Sequence, residues 1–252
     1  MKNKLKITNN INIYGAIRHD FWYNFSMENM YERTEKIIGK NGVERLQKAH
    51  IFVIGLGGVG SYAAEACARS GVGQLTLVDF DKVSPSNLNR QLYALNSTLN
   101  VPKTEIATQR IKDINPDCIL KTHSFFISPE NINELHMENA DYVIDAVDNI
   151  TAKLEIAKFC EKNNIRHISV MGTANKTDPT KLTVTDIYKT QNCPLAKALR
   201  KLCRENEIKK LKVVYSEQLP VVRTVPVSSM IFVPASAGLL AAREAVFDII
   251  NM

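Results

Sequence analysis

The chain has 252 residues, 45% hydrophobic and 23% charged, and 32 Lys and Arg against 26 Asp and Glu give a formal charge of +6. Such a length carries one large domain or two small ones around a core that needs no staples, and the composition excludes a disordered chain. The mild basic excess permits an anionic partner without demanding one.

Residues 1–30 read as an N-terminal extension, a flexible tail whose aromatics Phe21, Trp22, Tyr23 and Phe25 show no period. Patterned sequence begins near Arg33, so Met27 and Met30 stand beside Met1 as candidate translation starts. Residues 31–252 read as a single domain. The apolar run 51–54 predicts a strand, alanine-rich 60–70 a helix, 75–79 a strand and 103–114 a long helix. Then follow a strand at 119–126, a helix at 129–137, a strand at 142–147, a helix at 151–163 and a strand at 167–171. Repeated βα units predict a Rossmann-like α/β fold, a doubly wound, mainly parallel sheet with helices on both faces.

After Thr180 the pattern changes to a C-terminal antiparallel extension of the same domain. Residues 182–187 alternate like an antiparallel strand, 195–205 form an amphipathic helix, and 212–216 a further strand. Pro220 and Pro226 make 217–227 a loop, and 235–250 is a closing helix. The longest apolar stretch, 230–242, is too short for a bilayer and is broken by Pro234. The five cysteines, Cys67, Cys118, Cys160, Cys193 and Cys203, are odd in number and never spaced as Cys-x-x-Cys. Neither a disulfide framework nor a zinc ribbon is expected, and a reducing, cytoplasmic compartment fits. His19, His50, His123, His136 and His167 form no ligand spacing.

The sharpest motif is Gly55-Leu56-Gly57-Gly58-Val59-Gly60, which leaves a predicted strand and opens a predicted helix. Gly55 allows the tight turn, Gly57 lets a phosphate approach the backbone, and Gly60 lets helix and strand pack closely. The helix start offers N–H groups and a positive dipole to an anion. Asp79, nineteen residues after Gly60, lies where an acid meets a ribose hydroxyl. To this point an NAD(P)-dependent oxidoreductase fits equally well. The next stretch adds Asp81, then Asn87, Arg90 and, after Pro102, Lys103. Preplaced cations suit a triphosphate whose pyrophosphate leaves with charge developing on it, and an NAD site has little use for them. Asp148 and Asn149 follow another strand; Asp148 is a natural Mg²⁺ ligand or a helix cap.

These residues, with Arg33-Thr34-Glu35 and Asp145, together resemble the ThiF/MoeB, ubiquitin-activating-like superfamily, whose members adenylate a carboxylate. The resemblance is close over 31–187 and looser beyond. It implies that Gly55, Gly57, Gly58, Gly60 and Asp79 hold the adenosine part of ATP, with Asp81 and Asn149 beside them. It implies that Asn87, Arg90 and Lys103 contact the triphosphate and that Asp148 positions Mg²⁺. Arg33 matches an arginine supplied to the partner's site in a homodimer, with a helix-start charge as its bland alternative. A monovalent cation, and a sulfurtransferase or sulfur-acceptor protein as partner, are open expectations. Sulfur-carrier-activating members usually carry two Cys-x-x-Cys pairs, which this chain lacks. The residues 39–46, 178–180, 184–187 and Val225-Pro226 look instead like the branch of tRNA threonylcarbamoyladenosine dehydratases. That branch implies tRNA as substrate. Adenylation of a sulfur carrier, an oxidoreductase and a non-catalytic nucleotide binder remain the alternatives.

Residues 197–212 hold seven basic residues and two acids, a local excess close to that of the whole chain. Lys197, Arg200, Lys201 and Arg204 recur at helical spacing opposite Leu195, Leu199 and Leu202, with Lys209 and Lys210 just beyond. The helix reads as a solvated face or as a track for tRNA phosphates. Cys193 precedes it and is the one candidate for a reactive thiol, against a small buried residue as the plainer reading.

Overall fold

The computed structural model describes residues 30–222, 224 and 226–251. The expected tail up to residue 29, with Met27 and His19, and Val225 of the branch motif lie outside them. The elements run α1 (Glu32–Lys48), β1 (His50–Ile54), α2 (Gly60–Arg69), β2 (Gln74–Val78), α3 (Lys103–Ile114), β3 (Ile119–His123), β4 (Tyr142–Asp145) and α4 (Ile150–Lys162). They continue through β5 (His167–Val170), β6 (Leu182–Asp186), α5 (Pro194–Glu205), β7 (Lys212–Ser216) and α6 (Phe232–Ile250).

The seven strands lie in the order β3-β2-β1-β4-β5-β7-β6. All pairs are parallel except β6 with β7, where Leu182 faces Ser216 and Asp186 faces Lys212. This is the expected doubly wound sheet with its antiparallel end. Both faces are covered, as alternate residues show. Ile51 and Val53 of β1 enter the core with α2, α3 and α6, while Phe52 and Ile54 enter the core with α4. A strand buried on both sides reads as an unbroken apolar run, which is why β1 and β2 stood out in sequence.

Two expectations require correction. Residues 129–137 are not an α-helix but two 3₁₀ turns, Ile132–Leu135 and Met137–Asn139, separated by His136 in the left-handed region at φ 49°. The strand expected to Phe126 ends at His123. Helix α1, unassigned in the sequence reading, is kinked at Gly39 (φ 72°). No described helix is long and apolar enough to cross a membrane; Pro234 sits in the first turn of α6, where a missing N–H costs little.

Between β4 and β5 lies a buried polar cluster. Asp145 accepts from Lys153 Nζ at 3.0 Å and from Ser169 Oγ at 2.5 Å. Removing either ion would strand the other in the core, at a cost of roughly 3–5 kcal/mol. Beside it, His167 Nε2 is buried with no hydrogen-bond partner among the described residues. Burial drives the imidazole down from its ordinary value to about 4, with the Lys153 charge acting in the same sense and Asp145 opposing.

The pH dependence follows. Between pH 4 and 6.5 the unfolded chain takes up a proton at His167 that the folded chain refuses. Stability from this group is therefore complete above pH 6.5 and falls as pH drops towards 4, by up to about 3 kcal/mol. Urea unfolding of wild type and His167→Gln across this range should show a shallower acid decline in the variant. Parallel declines would remove His167 as a cause.

A candidate nucleotide cleft at the carboxyl edge

Strands β1 and β4 are neighbours whose connections leave in opposite directions, so a crevice opens beyond their carboxyl ends. Backbone geometry there requires glycine. Gly55 has φ 88°, and a Cβ on it would lie 2.8 Å from the Ala146 carbonyl oxygen. A Cβ on Gly60 would lie 1.7 Å from Gly55 O. Gly57 differs: the nearest atom to its Cβ position is Gln91 Nε2, at 3.8 Å. Its side faces the open cleft, so its demand for glycine comes from whatever enters. Gly58 packs on Arg90 Cγ and Pro234 Cβ, at 3.3 and 3.4 Å from its Cβ position.

Leu56 N–H donates to Asp79 Oδ2 at 2.6 Å, which ties the loop to the end of β2. The next four backbone N–H groups, of Gly57 to Gly60, find no acceptor among the described residues. They stand at the start of α2, where the helix dipole adds positive potential. Together they form an anion nest.

The cleft has a volume of about 250 Å³ and gathers most of the expected residues. Gly55, Gly57, Asp79, Asp81, Asn87, Arg90, Lys103, Asp148 and Asn149 all line it. Lys103 opens α3, the end at which a helix dipole disfavours a cation. It is nearly buried and is held by Asp81 Oδ2 at 2.7 Å and Asp79 Oδ1 at 3.6 Å. Burial raises the Asp79 carboxyl above its ordinary value; Lys103 and the N–H groups of Asp81 and Leu56 oppose that rise.

Arg90 is half-buried, and its guanidinium bonds only neutral acceptors, the Ser86 carbonyl at 2.8 Å and Asn89 Oδ1 at 2.9 Å. Asn87 is buried, its Oδ1 fixed by the Ser84 N–H at 3.1 Å. Asn149 caps α4 by accepting from Ala152 N at 3.0 Å. That answers the capping question for Asp148, whose exposed carboxylate has no partner among the described residues. The pair thus divides its work, one residue to the helix and one to the cleft.

The wall missed in the sequence reading is aromatic. Phe80 and Phe126 meet edge to face at 5.4 Å, and Phe125, Ile127 and Val147 continue the apolar lining. Phe80 and Phe126 are 57% and 44% exposed, unusual for phenylalanines. Gln91, at the end of the quoted Asn87–Gln91 motif, also lines the cleft. The one signal for the wall was Phe80, directly after the strand expected at 75–79.

Other expected residues lie elsewhere. Tyr31 packs against Gly71 and reaches Asn115, beside the amino ends of β2 and β3. Arg33, the second residue of α1, is exposed near that opposite edge and does not line the chain's own cleft. On α5, Lys197, Lys201 and Arg204 are exposed, with Lys209 and Lys210 after it. Arg204 stacks 5.5 Å over the Tyr188 ring. Arg200 turns inward, donating to Thr190 O and Oγ1, both at 2.7 Å, so it braces a loop instead of standing free. All five cysteines are buried; burial pushes Cys67 up to about 12 and Cys118 and Cys203 to about 11. Cys193 Sγ caps α5 by accepting from Ala196 N at 3.5 Å.

Comparison with known proteins places this geometry. A family model described as the ThiF family matches residues 31–250. The chain is 42% identical over 244 residues to a tRNA threonylcarbamoyladenosine dehydratase of Bacillus subtilis, covering 89% of this chain and 96% of the relative. It is 40% identical over 167 residues to the Escherichia coli enzyme of that name, covering 66% and 62%. A crystal structure of the E. coli enzyme, TcdA, in complex with ATP matches with TM-score 0.83 at 33% identity, covering 92% of this chain and 96% of that one.

The two glycines separate fold from binding. Gly60→Ala should destabilise the protein by more than about 3 kcal/mol, because backbone cannot yield 1.7 Å. Gly57→Ala should keep the melting temperature within a few degrees while ATP affinity falls about 10-fold or more. Thermal unfolding checks the stabilities and calorimetric titration the ATP affinity; full ATP affinity in Gly57→Ala would exclude phosphate from that side of the loop.

Proposed function

This chain belongs to the ThiF family, and from that membership we propose that it is an ATP-dependent tRNA threonylcarbamoyladenosine dehydratase. The observation that carries the reading is that Arg90, Lys103 and Asp148 line one cleft beside a glycine loop, and that four N–H groups of that loop and the Asp148 carboxylate find no partner among the described residues. The likeness over nearly the full length of a dehydratase of that name supports it.

The chemistry needs activation because a carboxylate has a poor leaving group. In the first step a carboxylate oxygen of the threonylcarbamoyl group attacks the α-phosphorus of ATP. The bond to the bridging oxygen breaks, and pyrophosphate departs. In the second step a neighbouring nitrogen attacks the acyl carbon and AMP leaves, carrying one former carboxylate oxygen. The nitrogen proton passes to solvent, so the nucleoside loses the elements of water. Ring closure is intramolecular and gains from proximity, so no protein nucleophile is required.

Each side chain has a task in this scheme. The N–H groups of Gly57 to Gly60 receive phosphate oxygens, Asp79 meets the ribose, and the Phe80–Phe126 wall lies beside the base. Arg90 and Lys103 stabilise charge developing on the leaving pyrophosphate, and Asn87 orients the chain of phosphates. A triphosphate arriving beside Lys103 competes for an ammonium that Asp79 and Asp81 otherwise hold.

Among the described residues no cluster of three or more ligating side chains could cage a metal. Mg²⁺ suits this donor set nonetheless, since it binds through one or two carboxylates plus substrate phosphates. Asp148 would be its protein ligand, and the ion would neutralise phosphate charge. Arg33, far from its own cleft, acts in trans across a homodimer in this reading. The exposed cations of α5 contact tRNA, and the enzyme works in the cytoplasm.

Incubation with ATP, Mg²⁺ and tRNA carrying threonylcarbamoyladenosine should yield a nucleoside lighter by one water in mass spectrometry. ATP–pyrophosphate exchange driven by a carrier protein's C-terminus, and never by the tRNA, would replace this reading with sulfur-carrier activation. Arg90→Ala should lower turnover by about 10²–10³-fold; near-normal turnover would remove Arg90 from the transition state.

A further inference from the structure

A second cavity, about 600 Å³, opens on the same carboxyl edge as the nucleotide cleft. Three connections build it. Asn175 comes from the loop after β5, Gln191, Asn192 and Cys193 from the turn before α5, and Leu219 and Pro220 from the loop after β7. Its size falls within the roughly 300–1,000 Å³ of small-molecule sites.

We propose that this cavity seats the substrate nucleoside, the modified adenosine of an RNA loop, while Lys197 at its rim meets a flanking phosphate. The proposal rests on the dehydratase reading and adds to it the place of the nucleoside.

The lining has the chemistry for such an occupant. Leu219, Pro194 and Pro220 offer apolar surface to a base, and three amides, Asn175, Gln191 and Asn192, offer donors and acceptors to its polar edge. Among the described residues no acidic side chain lines it, and the charged groups that do are Lys197 and Arg200. An anionic ligand therefore meets complementary charge, extended by exposed Lys201 and Arg204 further along α5. Sequence-specific RNA recognition is mostly of unstacked loop bases held between apolar faces and hydrogen-bonding groups. Arg200 supports the site indirectly: its bonds to Thr190 hold the wall that carries Gln191 and Asn192.

A hydrogen-bonded path joins the two cavities. Asn175, at φ 60°, exchanges backbone bonds with Ser228 and Val221, at 2.7 and 2.8 Å, and its Oδ1 accepts from Ser228 N at 2.8 Å. It thus pins both limbs of the 221–228 loop. The next residue, Ser229, accepts from Asn89 Nδ2 at 2.8 Å, and Asn89 Oδ1 accepts from Arg90. A nucleoside in the second cavity would lie one loop away from the groups assigned to the triphosphate.

Leu219→Ala and Gln191→Ala test the seat with no change of charge, and both side chains are exposed, so the fold should tolerate them. Each should raise KM for threonylcarbamoyladenosine-bearing tRNA by about 10-fold, the scale of one lost base contact. ATP affinity should stay at its wild-type value. Lys197→Gln should weaken binding of modified and unmodified tRNA alike and reduce its salt dependence. Wild-type KM in both neutral variants would overturn the seat, as would a matching loss of ATP affinity. A wild-type protein inactive on modified tRNA would sink the dehydratase reading itself, a separate outcome from variants that match an active wild type.

Discussion

The whole site depends on how closely two backbones approach where β1 and β4 leave the sheet. Gly55 turns with a positive φ against the Ala146 carbonyl, and Gly60 sits on Gly55 O at a distance that no side chain could share. This contact points α2 at the crevice and leaves four N–H groups with no acceptor among the described residues. It also brings the β4 connection, with Asp148, up against the glycine loop. Gly238 serves the same end from behind: a Cβ there would lie 2.1 Å from Val59 O, so α6 presses directly on the start of α2. Packing of glycine on backbone thus creates the anion nest, and the chemistry is hung upon it.

The electrostatics run against ordinary helix design, which is itself informative. A cation at a helix N-terminus and nearly buried is doubly disfavoured, yet Lys103 is placed so and two carboxylates are spent to keep it there. Asp148 has no partner among the described residues, next to a helix whose cap is already supplied by Asn149. Arg90 faces neutral oxygens only. Such a set is stable enough to wait and gains when a polyanion with its counter-ion enters. The buried Asp145–Lys153 pair is different, since it is satisfied internally with Ser169 and serves to hold β4 beneath the cleft.

Much of this was legible in the sequence. Helix α3 and strand β7 have the expected bounds, 103–114 and 212–216, because apolar period and flanking breakers agree there. The glycine loop was legible because its spacing is imposed by backbone contact. Residues 129–137 were not, since Ile132, Leu135 and Met137 mimic a helical face while His136 breaks the chain's helical path. Helix α1 hid for the opposite reason, as Gly39 and Gly42 interrupt its pattern and tertiary contacts such as Arg45 to Ile250 O support it. Arg200 shows a limit of spacing arguments: at the margin of an amphipathic face, only the neighbouring Thr190 decides whether a guanidinium turns inward. Phe125 and Phe126 looked like the end of a strand, and nothing local says that a strand stops early to offer its aromatics to a cleft.

The central claim is that AMP becomes bonded to the substrate's own carboxylate. Heavy oxygen placed in that carboxylate, followed by mass spectrometry of the nucleotide products, tests it directly. The account predicts one heavy atom in the phosphate of AMP and none in pyrophosphate. Label appearing in inorganic phosphate, or AMP released without label while the ring closes, would contradict it.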